Sequence, residues 1–104
     1  MVHQFTARDV QLVIANPIYT GMGQYERIID DNLWVGSALR AIQERGAYFW
    51  SDVQTNVVEA LGLSENKVSD ICSKAQDQLD KAAQDIDRQR ILKGLLLELR
   101  KACK

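Results

Sequence analysis

The stretch that decides the fold is residues 64–102, which read SENKVSDICSKAQDQLDKAAQDIDRQRILKGLLLELRKA. Apolar side chains recur in it every three or four residues, and no proline interrupts it. This spacing is typical of amphipathic α-helices, whose apolar residues form one stripe along the helix. Because such a stripe must be covered, the stretch predicts a protein built by packing helices against one another.

The length of this stretch raises a second question about its path. As one straight helix, residues 65–102 would reach about 57 Å at 1.5 Å per residue, whereas a globule of about 100 residues has a radius of gyration of about 13 Å. Either the helical segment breaks in the very polar residues 85–90 and folds back, or it projects and is covered by a partner. Gly94 costs about 1 kcal/mol relative to alanine inside a helix, which favours a break or close packing near it.

Capping signals upstream predict further helices. A Ser, Thr, Asp or Asn at the start and a Gly or Pro at the end are the usual boundaries. The predicted helices run from Thr6 to Asn16, from one of Asp30, Asp31 and Asn32 to Gly46, from Ser51 (with Gln54 completing a capping box) to Gly62, and onward from Ser64. Together they predict an all-α bundle of about four to five helices, forming a single domain over residues 1–104.

Two segments between these helices carry large side chains. Residues 47–50 form an aromatic cluster, which we expect in the core. Residues 16–29 read as a long loop that contains Tyr19, Met22 and Tyr25. Long ordered loops often carry function, so these three side chains are candidates for binding a partner. The alternative is that they fold back and cover the core of the domain.

Composition argues against most catalytic and metal chemistry. The chain has two cysteines and one histidine, too few for a zinc site with recognisable ligand spacing or for a histidine-based triad. We therefore expect a protein that is not an enzyme and holds no cofactor or metal. No apolar run is longer than four residues, the length of residues 47–50, which is far too short to span a bilayer. No signal peptide is evident either, so we expect a cytoplasmic protein.

One stretch points to nucleic acid. Residues 54–73 read QTNVVEALGLSENKVSDICS, with Gly62 at the centre of a Leu-Gly-Leu-Ser turn. This resembles the helix-turn-helix motif of DNA-binding proteins. The resemblance implies that Asn66, Lys67, Asp70 and Lys74 face the major groove. Of these, the candidate DNA contacts are Asn66, Lys67 and Lys74. Glu65 and Asp70 on the same helix would face phosphates unfavourably. A small DNA-binding regulator is therefore the alternative function.

The C-terminal residues give the main functional hypothesis. From Arg88 onward the chain has six cations and one carboxylate, a net charge of +5, in its most leucine-rich part. The predicted partner-binding residues are Leu92, Leu95, Leu96, Leu97, Leu99, Arg88 and Arg100. We therefore expect a non-enzymatic interaction or adaptor protein that binds a protein partner, in the first place a second copy in an antiparallel homodimer. The alternative is that the leucines face the domain's own core and the cations complement the helix dipole.

Overall fold

Four α-helices follow one another in the part of the chain that the computed structural model describes, residues 16–103. They are α1 (Asp31–Arg45), α2 (Ala47–Leu61), α3 (Glu65–Lys81) and α4 (Asp85–Ala102). A short 3-10 helix, Pro17–Tyr19, precedes them, and residues 16–103 contain no β-strand. Helices adjacent in sequence pack on one another, and α4 returns to pack on α1. The predicted all-α bundle is confirmed, while the helix predicted from Thr6 lies outside the described residues.

Several predicted boundaries are confirmed by their capping contacts. The Asp30 carboxylate accepts a hydrogen bond of 2.7 Å from the backbone N–H of Leu33 and so caps α1. The Ser64 hydroxyl accepts one of 3.4 Å from the N–H of Lys67 at the start of α3. Gly62 ends α2 in the left-handed conformation, with φ of 65°. Such caps satisfy backbone groups that a helix end leaves unpaired.

The start of α2 differs from the prediction. The helix begins at Ala47 rather than after Ser51, which lies exposed inside it. The reason is Gly46, which alone reverses the chain between α1 and α2 with φ of 54° and ψ of −121°. Only glycine adopts this conformation readily, so a single residue replaces the longer turn that the capping signal suggested.

The long C-terminal segment breaks, slightly before the predicted place. Ala82 and Gln84 adopt extended conformations between α3 and α4, with ψ of 127° and 150°. Residues 85–90, predicted as the break, instead form the first turns of α4. These residues are polar because they begin a helix: Asp85 and Asp87 lie in its first turn, where the helix dipole favours negative charge.

The core draws on every helix and on the loop that precedes them. Trp34 and Phe49 contact each other with ring centroids 6.4 Å apart, and Phe49 contacts Trp50 edge-on at 5.1 Å. Tyr48 does not join this aromatic cluster and is 74 % exposed, because the helical turn directs it away from the buried face of α2. Met22 of the loop is fully buried in the same core.

Candidate protein-docking surface

The leucines predicted to bind a partner lie mostly inside the bundle. Leu92, Leu95, Leu96 and Leu99 are at most 3 % exposed and belong to the hydrophobic core. This corrects their assignment to a partner surface. The physical reason is the break after α3, which lets α4 fold back and bury its apolar stripe against α1 and α3 of the same chain.

The two predicted partner-binding arginines also have partners within the chain. Arg88 donates to the carboxylate of Asp85 at 2.7 Å and to the carbonyl of Ala82 at 3.1 Å, so it secures the linker between α3 and α4. Arg100 donates to both carboxylate oxygens of Asp31 and, at 3.1 Å, to the carbonyl of Thr20. Both guanidinium groups thus have partners within the fold, and their contact with a protein partner stays a prediction.

The Arg100–Asp31 pair joins three parts of the molecule. It connects the end of α4, the start of α1 and the loop at Thr20. The hydrogen bond from Arg100 and then its positive charge lower the pKa of the Asp31 carboxyl, with smaller contributions from Arg27 and Lys93 and with burial opposing them. Asp31 is therefore held in its charged form, and the pair acts as a structural clamp.

The loop of residues 16–29 covers the core. Met22 is fully buried, and Tyr19 and Tyr25 are half-buried. The loop is closed by an antiparallel bridge between Thr20 and Arg27 and by hydrogen bonds from the N–H groups of Ile28 and Ile29 to the carbonyl of Tyr19. Met22 is thus a core residue, which corrects its assignment as a loop contact for a partner.

Apolar side chains remain exposed on the outer face of α4. Leu97 is 54 % exposed and Ile86 is 60 % exposed. They are eleven residues apart, close to three helical turns, and therefore share one face. Arg90, Lys93 and Lys101 are exposed near them. Of the five leucines predicted to bind a partner, Leu97 is the one that the structure leaves accessible.

A groove between α3 and α4, here called the α3–α4 groove, was not predicted from the sequence. Its apolar lining is half-buried or buried and consists of Ile71, Ala75, Ile91, Gly94 and Leu95. Its polar lining is exposed and consists of Lys74, Gln78, Arg90 and Glu98. The one signal in the sequence was Gly94, which was expected at a break or in close packing. It is in neither, since a Cβ atom there would meet nothing within 4 Å.

Residues 62–64 form a short corner between α2 and α3, where the sequence resembles a helix-turn-helix motif. All three candidate DNA contacts, Asn66, Lys67 and Lys74, are exposed on α3. They are not brought to one site: Asn66 lines a hollow between α2 and α3 together with Glu59 and Glu65, whereas Lys74 lines the α3–α4 groove. The carboxylates of Glu59 and Glu65 therefore lie in the same hollow as Asn66, the predicted DNA contact at this corner.

The two cysteines are poor nucleophiles. Burial raises the pKa of the Cys72 thiol to about 11. Burial also raises the pKa of Cys103, whose thiol donates to the carbonyl of Leu99 at 3.1 Å. Reactive cysteines have a lowered pKa and an accessible thiolate, so neither side chain is prepared for nucleophilic chemistry.

Residues 16–103 contain no group of three or more His, Cys, Asp and Glu side chains placed to hold a metal ion. None of the helices described is long and apolar enough to cross a membrane. Comparison of the chain with protein-family models, with curated proteins and with solved structures finds no match.

Proposed function

We propose that this chain is a non-enzymatic protein-interaction module that binds a protein partner through its C-terminal hairpin, α3 and α4. The observation that carries the proposal is the α3–α4 groove, whose apolar floor lies open between two polar edges. An apolar groove between helices is a surface into which an amphipathic helix of a partner can lay its apolar face. Leu97 and Ile86 extend the accessible apolar surface along the outside of α4.

A heterologous partner fits this surface better than the homodimer expected from the sequence. The leucines that were to supply the free energy of self-association are buried within the chain. In a two-fold dimer through the outer face of α4, the same surface patch faces itself. Arg90, Lys93 and Lys101 of the two copies would then lie against one another, and like-charge contacts oppose association.

DNA binding is the second candidate, and one observation favours it. Lys67 and Lys74 are both exposed and lie seven residues apart, which puts them on one face of α3. Such a pair can neutralise phosphates. Glu65 and Asp70 are exposed on the same helix and oppose that role, since DNA affinity comes largely from neutralising phosphate charge.

Site-specific photo-crosslinking in the native cell tests the protein-interaction proposal. A photoreactive residue is placed at Gln78 in the groove or at Leu97 on the outer face of α4, with Gln43, exposed on α1, as the matched control. We expect the same protein to be crosslinked from positions 78 and 97 and not from position 43. Equal products from all three positions, or products made only of this chain, would contradict the proposal.

A further inference from the structure

Resting on the proposed function, we propose that the α3–α4 groove binds an acidic amphipathic helix of a different protein. The floor of the groove is apolar, and an exposed cation stands on each side: Lys74 from α3 and Arg90 from α4. A helix with apolar residues on one face and carboxylates flanking them fits this groove, because its apolar face meets the floor and its carboxylates meet the cations. In helix-in-groove binding, the apolar residues of the ligand that contact the groove lie at positions i, i+3 or i+4, and i+7.

A row of lysines continues along α3 beyond the groove itself. Lys67 and Lys81 each lie seven residues from Lys74 and are exposed, so three lysines follow one side of the helix. From Lys67 to Lys81 this row spans about 21 Å, the length of a helix of about 14 residues. A partner helix of that length can therefore meet the row along its whole extent.

Carboxylates lie close to these cations, but most of them lie outside the groove lining. Glu98 is the acidic residue in the lining, and it lies 3.6 Å from the ammonium group of Lys101. Asp70 and Asp77 of α3 do not line the groove. Within the lining itself, the two cations Lys74 and Arg90 outnumber the one carboxylate, so an acidic ligand meets a net positive charge there.

Gly94 lines the groove and leaves open space beside the backbone of α4. It lies in the middle of α4, and a Cβ atom there would meet nothing within 4 Å, so no packing within the described part of the chain explains the glycine. Small residues at helix interfaces let two backbones approach closely. A partner helix lying over Gly94 would use this space.

The apolar floor distinguishes this ligand from nucleic acid. A phosphate backbone is bound through its charge and gains nothing from Ile71 and Ile91, which are half-buried in the groove. An amphipathic helix buries these side chains and pairs with the cations in one arrangement. A substitution that fills the apolar floor therefore distinguishes the two ligands. It blocks the binding of a helix but leaves the cationic edges accessible to nucleic acid.

Selection of ligands from a displayed library of random helical peptides of about 16 residues tests the proposal on the full chain. We expect the enriched peptides to have an apolar stripe flanked by Asp and Glu. Gly94→Leu should weaken their binding at least about tenfold, as expected when the centre of an interface is blocked. Gly36→Leu is the matched control, because Gly36 is also inside a helix with nothing within 4 Å of its Cβ position.

Charge reversal provides a second variant that leaves the core untouched. Lys74→Glu and Arg90→Glu alter exposed side chains, and we expect each to weaken the same peptides and to reduce the salt dependence of binding. Circular dichroism verifies that every variant is folded.

Each other outcome overturns the inference in a different way. Peptides that lose binding with Gly94→Leu but carry no excess of Asp and Glu would refute the acidic ligand and leave the proposed function standing. No enriched peptide, or peptides insensitive to Gly94→Leu, would refute the groove as the binding site. Duplex DNA that binds equally to the native chain and Gly94→Leu, but not to Lys74→Glu, would reassign the cationic edges to nucleic acid.

Discussion

The guanidinium group of Arg100 holds both carboxylate oxygens of Asp31, 69 positions away in the chain, and so fastens the last turn of α4 to the first turn of α1. Arg100→Met keeps most of the aliphatic stem but removes these hydrogen bonds. We expect it to lower the free energy of unfolding by about 1 kcal/mol at pH 7, because the pair is partly exposed and solvent screens it. Urea denaturation measures the change.

Lowering the pH should remove the stabilisation that the Arg100–Asp31 pair gives to the folded chain. The pKa of Asp31 in the folded chain lies below its ordinary value of 3.8. A lowered pKa stabilises the folded state above the unfolded pKa and ceases to do so as the pH falls through the folded pKa. The difference between the native chain and Arg100→Met should therefore be constant above about pH 5 and shrink below about pH 4. Glu98→Gln, which disrupts an exposed pair, serves as the control and should have no measurable effect.

Substituting two leucines of α4 by alanine tests where that helix buries its apolar face. Leu96 is fully buried, so Leu96→Ala should lower the free energy of unfolding by about 2 to 5 kcal/mol. Leu97 is 54 % exposed, so Leu97→Ala should change it by less than about 0.5 kcal/mol. Chemical denaturation gives both values, and light scattering should give the mass of one chain for the native protein. Equal losses at the two positions would contradict the fold-back of α4.

Substituting Gly94 or Gly46 by alanine should change the free energy of unfolding in opposite directions. Gly94 lies inside α4 with open space at its Cβ position, so Gly94→Ala should raise the free energy of unfolding by about 0.5 to 1 kcal/mol. Gly46 has φ of 54° and ψ of −121°, which alanine adopts only with strain. Gly46→Ala should therefore lower the free energy of unfolding, by about 1 to 3 kcal/mol. Thermal melts followed by circular dichroism distinguish the two signs.

The thiols should differ in reactivity according to their burial. Cys72 is fully buried with a pKa of about 11, so it should react with an aromatic disulfide reagent at pH 8 only when the chain unfolds. Cys103 is half-buried and should react first, though more slowly than a free thiol. Absorbance follows the aromatic thiolate that the reagent releases, and so gives the number of protein thiols that react and the rate at which they do. Rapid reaction of both in the native chain would contradict the packing of α3.

Binding to duplex DNA provides the test of the second candidate function. We expect no binding of a 20-base-pair duplex at about 150 mM salt, because Glu65 and Asp70 accompany Lys67 on α3. Fluorescence anisotropy of labelled DNA measures it. Binding that falls steeply with salt and is lost when Lys67 and Lys74 are changed to Glu would instead support the DNA-binding function.

Local sequence signals predicted the helices well because helix ends are determined by neighbouring residues. Asp30, Gly62 and Ser64 act through contacts within four positions, and a sequence shows such contacts directly. Gly46 was also recognised as a helix end, but its ability to turn the chain alone depends on a conformation that the sequence does not display.

The candidate site was much harder to predict, since it depends on how helices are placed in space. The periodicity of α4 showed an apolar stripe but not whether its own chain or another one covers it. Arg100 looked like a free cation because Asp31 is remote in sequence. The α3–α4 groove exists only once α3 and α4 lie side by side, so only Gly94 hinted at it.

The return of α4 onto α1 has a consequence for synthesis on the ribosome. The buried face of α1, with Trp34, Val35 and Ala38, packs partly against a helix that is made last among the four. At roughly 5 to 20 residues per second, several seconds separate the emergence of α1 from that of α4. During this time the nascent chain exposes an apolar surface that it will later cover. Chaperone binding should therefore be strongest before residue 102 has emerged.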